Sequence, residues 1–339
     1  MKTLPVFSLI SCIRRNRNSF LHLGLIILIF LVIALTLFDG DSQSLLAHDE
    51  GLYARRAKFV LESGNWLSPF TTPHHKTVGS YWPIAVSLNL FGISDWAARL
   101  PSIFSGLVAT IFFYLISRKY FKPLNSLAAS FALLAMPIYF QSLRTAGPDM
   151  TFTALVMAQI YFFVTIKDSE VSSSRWKIVV FGACISLTFF VRSMVAFLPI
   201  VSMLPLIFSR RYSRFKTFWF WTVVGLLLGS IPLILNLYAV FVDHGYAGVS
   251  PLIAFASNKA DLSELNLSLS IPFYFSRLLL LTFPFSICIL SRIKIRSSSF
   301  KISALLTEIN SLSIFFPLIY FLILSSMGAR YYHYLTPLV

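Results

Sequence analysis

Runs of apolar residues dominate the chain, and they recur at a spacing and length that predict membrane-spanning helices. A span needs about 20 mostly apolar residues. Nine such stretches occur, roughly Phe20–Phe38, Ala97–Ser117, Pro123–Phe140, Met150–Ile166, Trp176–Val191, Met194–Phe208, Phe218–Val242, Ile271–Leu290 and Leu312–Ser326. A tenth is expected to begin at Tyr331. The first follows Arg14, Arg15 and Arg17, but its apolar core is too long for a signal peptide and lacks a good small-residue cleavage site, so it reads as a retained anchor. Between the spans lie two longer outward loops, about residues 39–96 and 243–270.

In the first loop the pattern changes to that of an amphipathic helix. Asp49 is placed to cap a helix running to about Glu62, with Gly64 as its stop. On a helical wheel Tyr53, Ala57, Val60 and Leu61 share one side and Arg55, Lys58 and Glu62 the other, as expected of a helix lying at a membrane surface. The following "TTPHHKTVGSYWP", Thr71–Pro83, has too many breakers for a regular element, and Tyr81 and Trp82 suit an interface. The fold class predicted is an all-α polytopic membrane protein, a single unit over residues 1–339 with about nine to ten spans.

Composition agrees: 57% of the 339 residues are hydrophobic and only 12% charged. The charge of +15 has a topological origin. Alternate loops, beginning with the N-terminal tail, hold 18 of the 28 bases against three acids, which makes that side cytoplasmic. The other side holds ten bases and ten acids, so the excess positive charge gives no reason to expect a nucleic-acid partner. Cys12, Cys184 and Cys288 fall in the cytoplasmic tail or in spans, so neither a disulfide nor a thiolate metal site is expected.

The polar residues of the outer side are the candidate chemistry. Asp49, Glu50 and the HHK run (His74, His75, Lys76) come from the first loop, Arg144 and Asp149 from "RTAGPDM", Arg192 from "FFVRSMVAFLP" and Arg330 from "GARYYHYLTP". Ionisable groups in or at the ends of spans cost about 2.5–3.5 kcal/mol each on insertion scales, and several at one depth point to a shared site. Taken singly, each has an ordinary explanation. Asp49 and Asp149 open helices and suit N-caps; Arg144, Arg192 and Arg330 suit snorkelling to lipid phosphates; His74 and His75 suit a solvated loop. Adjacent histidines with Asp49 leave a divalent cation as the one candidate cofactor.

The order of these elements resembles a known family. "HDEGLYARRAKFVLESGNWLSP", then "HHK", then "YWPIAVSLNLFGISDWAARLPS" is similar to the first outer loop and second span of the lipid-linked-sugar glycosyltransferases related to the lipid A aminoarabinose transferase and the protein O-mannosyltransferases, the GT-C class. Asp49, Glu50 and Tyr53, Gly64-Asn65-Trp66, Lys76, Tyr81-Trp82, Phe91-Gly92 and Ala98-Arg99-Leu100-Pro101 take the family's motif places in order. "PDM" at Pro148–Met150 resembles a second acidic motif and "VRSMVAFLP" a T-K-G-P segment, with Arg192 in place of its Lys. His75 stands where the family usually has Glu, and Thr77-Val78 where it has Pro-Pro. Family members continue beyond the "RYYHYLTPLV" region, so a truncated or compact version is expected.

The resemblance implies a GT-C-like bundle that transfers a sugar, with inversion, from a polyprenyl-phosphate carrier to a lipid, glycan or protein acceptor at the outer face of a bacterial inner membrane. By motif position it implies Asp49, Glu50 and Asp149 as catalytic carboxylates, Lys76, Arg192, Arg330 and Arg144 as ligands of the donor phosphate, and Tyr53, His75 and Tyr81 as positioning groups. Membrane lipids are the other expected partner. A transporter or lipid flippase is the rival reading, disfavoured by the lack of an internal repeat and by charges gathered at one face; a noncatalytic relative is another.

Overall fold

The computed structural model describes residues 44–45, 50–166, 173–210, 215–260, 267–286, 311–327 and 332–338, and Gly24 alone. The first predicted span apart from Gly24, and Asp49 and Arg330, lie outside the described residues. The described elements are helical throughout. They comprise α1 (Glu50–Ser63), α2 (Trp82–Phe91), α3 (Asp95–Tyr120), α4 (Pro123–Ala135), α5 (Pro137–Leu143), α6 (Asp149–Val164) and α7 (Arg175–Arg192). After these come α8 (Phe197–Ser202), α9 (Leu204–Ser209), α10 (Lys216–His244), α11 (Tyr246–Ala260), α12 (Leu267–Leu281) and α13 (Phe316–Ser325), with short 3-10 turns at Val78–Ser80, Ser193–Ala196 and Tyr332–Leu338. Three apolar runs, Asp95–Tyr120, Arg175–Ser209 and Lys216–His244, are long enough to cross a membrane. This is an integral membrane protein.

One predicted span takes a different form. Pro123–Phe140 is not one rod but α4 and α5, bent by 70°. Pro137 supplies no amide hydrogen, and Met136 before it is extended at φ −70°, ψ 127°, as a residue preceding proline prefers. The 35-residue run Arg175–Ser209 breaks at Ser193, whose φ of 49° no regular helix accommodates. Its two ends return to one level. Arg210 donates to the Val164 carbonyl at 3.1 Å and Lys177 to the Thr165 carbonyl at 3.2 Å, so α7 and α8–α9 run out and back as two segments. Lys119 also donates to the Val164 carbonyl. Three basic side chains thus cap the C-terminal carbonyls of α6, where the helix dipole favours cations.

Helix α10 packs on α7 at close range. A Cβ on Gly225 would sit 2.1 Å from the Val179 carbonyl oxygen, so only glycine lets the two backbones approach this far. Ser186 donates to the Leu226 carbonyl across the same seam, at 2.7 Å. The central core joins Val156, Ile160 and Phe163 of α6 with Ile178 and Phe181 of α7, Phe218 of α10 and Tyr320 of α13.

The first outer loop is a small packed body. Tyr53, Ala57 and Val60 of α1 are buried against Ile84, Ala85 and Leu88 of α2 and Ala97 and Ala98 of α3, while Arg55, Lys58 and Glu62 stay exposed. α1 stops at Ser63, followed by Gly64 at φ 67°. In the second outer loop, part of the chain is helical, as α11 follows α10 after Gly245.

Candidate active site

Glu50, at the start of α1, is 1% exposed and held from two sides. The Arg99 guanidinium forms a two-pronged pair with it, Nε to Oε1 at 3.1 Å and Nη2 to Oε2 at 3.0 Å. Its Oε1 also accepts the Ala146 amide at 2.8 Å. Planar guanidinium matches carboxylate in this geometry, which makes the contact directional as well as strong. Ser102, three residues beyond Arg99, donates to the Thr145 carbonyl at 2.7 Å. The start of α1, the start of α3 and the "RTAGPDM" segment are therefore tied together before any substrate arrives.

Asp149 opens α6 three residues after Ala146, and its carboxylate pairs with Arg192 at the last position of α7. The Arg192 side chain is 8% exposed and lies over the Tyr334 ring, 5.2 Å from its centroid. Its Nε is buried with no hydrogen-bond partner among the described residues. A buried guanidinium N–H left unpaired is costly, and an anion would satisfy it.

The loop before α2 docks onto this helix end. Thr77 donates to the Phe190 carbonyl and Ser80 to the Val191 carbonyl, both at 2.6 Å. A Cβ on Gly79 would fall 2.3 Å from the Phe190 oxygen. The Thr77 hydroxyl also lies 3.4 Å from that of Ser193, next to Arg192. Thr77, one of the two departures from the Pro-Pro pattern, thus secures the loop through a hydroxyl that proline lacks.

Lys76, adjacent to Thr77, donates to the Tyr53 hydroxyl at 2.8 Å, and Tyr53 lies one turn along α1 from Glu50. The contacts close a circuit: Glu50 to Ala146, Asp149 to Arg192, Ser193 to Thr77, and Lys76 to Tyr53. Beside it, fully buried Tyr81 accepts from Arg56 Nη1 at 3.1 Å and meets His74 Nε2 at 2.7 Å. Burial raises the Tyr81 phenol well above its ordinary pKa, so it stays neutral. Burial, reinforced by the positive Arg56, His75 and Lys76, lowers His74 from 6.5 to about 3.

Of the other sequence candidates, His75 packs its ring against His74 at 4.7 Å. Arg144, at the end of α5, places its guanidinium over the Phe140 ring, 5.8 Å from the centroid. Among the described residues no three His, Cys, Asp or Glu side chains gather as a metal site. Residues that sequence reasoning did not single out include Arg99, visible only as part of the ARLP motif, and Tyr334, inside "RYYHYLTP". A lone Asn236 in an apolar span, introduced below, is a polar signal of the kind that marks function in membranes.

Comparison with known proteins agrees with this architecture. Residues 75–235 match the family described as dolichyl-phosphate-mannose-protein mannosyltransferase. A crystal structure of ArnT from Cupriavidus metallidurans bound to undecaprenyl phosphate superimposes with a TM-score of 0.74 at 19% identity, covering 92% of this chain and 57% of that one. The protein has the GT-C fold of ArnT. The apo form of that ArnT gives a TM-score of 0.72 at 18% identity, with the same coverage. The undecaprenyl phosphate-alpha-4-amino-4-deoxy-L-arabinose arabinosyl transferase 2 of Proteus mirabilis is 24% identical over 258 residues, 74% of this chain and 46% of the relative. Its counterpart from Yersinia enterocolitica is 24% identical over 199 residues, 57% of this chain and 36% of the relative. The ArnT-like chain spans about half the length, or less, of these curated relatives.

Proposed function

We propose that the protein is a membrane glycosyltransferase that moves a sugar from an undecaprenyl-phosphate-type carrier to a cell-envelope acceptor at the outer face of the inner membrane. The observation that carries the reading is the buried Arg192 N–H without a partner, held one hydrogen-bonded link from Lys76. A buried guanidinium and an oriented ammonium on adjoining segments suit a phosphate ester. The similarity to an ArnT that binds undecaprenyl phosphate supports the same ligand here.

In this reaction the bond between the anomeric carbon and the phosphate oxygen breaks, and its electron pair leaves with the lipid phosphate. Lys76 and Arg192 meet the charge that develops there, with Arg144 and Arg330 as further contributors. The acceptor oxygen attacks from the opposite side, which inverts the anomeric centre, and its proton passes to the Asp49 carboxylate. Where the acceptor is a phosphate, it is already a nucleophile and Asp49 positions it. Glu50 is saturated by Arg99 and Ala146, so its role is to fix the chain next to Asp49 rather than to exchange protons. Asp149 orients Arg192, and Tyr53 orients Lys76. Tyr81 and His75 brace the loop that carries Lys76. Lys119, Lys177 and Arg210 gather at the opposite end of α6, which supports placing them on the cytoplasmic side and the cleft outside.

The test is a transfer assay on purified protein with undecaprenyl-phosphate-linked sugars. Lys76→Ala is expected to lower the rate by about two to three decades, the usual loss for a donor aimed at developing charge. Wild type that neither binds undecaprenyl phosphate nor consumes any such donor overturns the reading and leaves a noncatalytic relative.

A further inference from the structure

Beside Lys76 the loop and α10 form a partly open cavity of about 20 Å³, lined in part by His74, Lys76, Asn236 and His244. Its wall is built from both elements. Asn236 Nδ2 donates to the Leu67 carbonyl at 2.6 Å, and His244 Nε2 donates to the Phe70 carbonyl at 3.0 Å. Asn236 is 2% exposed, yet its Oδ1 has no hydrogen-bond partner among the described residues. A buried carbonyl oxygen in that state is an acceptor in need of an O–H or N–H.

His74 supplies the complementary group. Tyr81 already accepts from Arg56, so the arrangement that satisfies all three has its hydroxyl donate to His74 Nε2. The neutral imidazole then carries its hydrogen on Nδ1. The residues that line the cavity therefore include a ring with a free donor, an amide with a free acceptor and a lysine. A hydroxyl both donates and accepts, and one hydroxyl is about what this volume holds.

We propose that this cavity is a hydroxyl-recognising subsite for the transferred sugar, with Asn236 Oδ1 accepting from the hydroxyl and His74 donating to it. It rests on the transferase reading, since it takes the carrier phosphate at Lys76 as the neighbouring anchor. It assigns sugar selection to α10, while the phosphate contacts belong to the loop and α7.

Affinity measurements on the full chain in nanodiscs separate the two. The probes are undecaprenyl phosphate alone and a panel of undecaprenyl-phosphate-linked pentoses and hexoses. In wild type the preferred sugar is expected to improve binding about tenfold or more over the bare carrier, a gain of the size one buried hydrogen bond provides. Asn236→Leu should abolish that gain and leave the bare carrier within about twofold. Asn236→Asp keeps the acceptor oxygen but loses the donation to Leu67; it should retain the gain. In wild type, removing the recognised hydroxyl from the sugar should reproduce the Leu result, with no further loss when both changes are combined. Equal weakening of bare and glycosylated carrier in Asn236→Leu, or loss of the gain in Asn236→Asp, overturns the inference in favour of a scaffold role through Leu67. An unchanged gain in Asn236→Leu means the cavity holds only water, and a change confined to the KM of the acceptor gives the hydroxyl to the acceptor; both overturn it. If wild type fails to bind undecaprenyl phosphate at all, the transferase reading itself has failed.

Discussion

The two ends of the helical bundle carry cations in opposite ways. At one end Lys119, Lys177 and Arg210 each reach a terminal carbonyl of α6. At the other end, bases meet acids, Arg99 with Glu50 in a buried pair and Arg192 with a partly exposed Asp149, and Lys76 is oriented by a phenol. The first arrangement draws on the dipole of a helix terminus. The second takes charge out of water, and that is affordable only when geometry is fixed by the surrounding fold. Buried charge at one end and carbonyl caps at the other is the asymmetry expected of a protein whose chemistry sits on one side of a membrane.

The comparison breaks most sharply at Arg99. Arg99→Met leaves the Glu50 charge buried without the guanidinium that balances it, and loss of one partner from such a pair typically costs about 3–5 kcal/mol. Thermal unfolding in detergent should show this as a large drop, with part of it recovered by adding Glu50→Gln. A drop no larger than that of a surface charge would remove the distinction between the two ends. Arg210→Gln is the matching change at the carbonyl-capping end. It should cost at most about 1 kcal/mol, the scale of a cation at a helix C-terminus, and leave sugar transfer unchanged. A loss of transfer there would show that the chemistry is not confined to one end.

How far the sequence foresaw this differs between the two regions. Span positions were legible because apolar runs and loop charges are local signals, and α3, α6, α7 and α10 lie close to where those signals put them. The exception has a local cause that periodicity does not report: proline splits Pro123–Phe140, whereas the turn at Ser193 falls between the predicted spans Trp176–Val191 and Met194–Phe208. At the candidate site, motif order placed Glu50, Tyr53, Lys76, Asp149 and Arg192, and the structure brings these into one circuit. Their partners were less legible. Arg99 is 49 positions from Glu50 and Thr77 is 113 from Phe190, separations at which no helical or turn pattern links two residues. Asn236 reaches Leu67 across 169 positions. Such contacts follow only from the packing of helices, which one sequence does not spell out.

The smallest expected effect concerns His74, and it separates the first outer loop from the rest of the bundle. Because the folded protein lowers this imidazole from 6.5 to about 3, the unfolded chain binds the extra proton between those values and the folded one does not. Stability contributed by His74 therefore rises with pH across that window, is complete above about 6.5, and falls as the solution is acidified. The groups that hold it neutral are its burial and the charges of Arg56, His75 and Lys76. Unfolding temperatures compared between wild type and His74→Gln from pH 7.5 down to 4.5 should converge or reverse at the acid end, since Gln has no proton to take up. Parallel curves would mean that His74 is as free to ionise when folded as when unfolded, and the Arg56–Tyr81–His74 chain would then lose its support. The same argument predicts that transfer measured between pH 7 and 9 carries no inflection from His74, so any titration seen there belongs to another group.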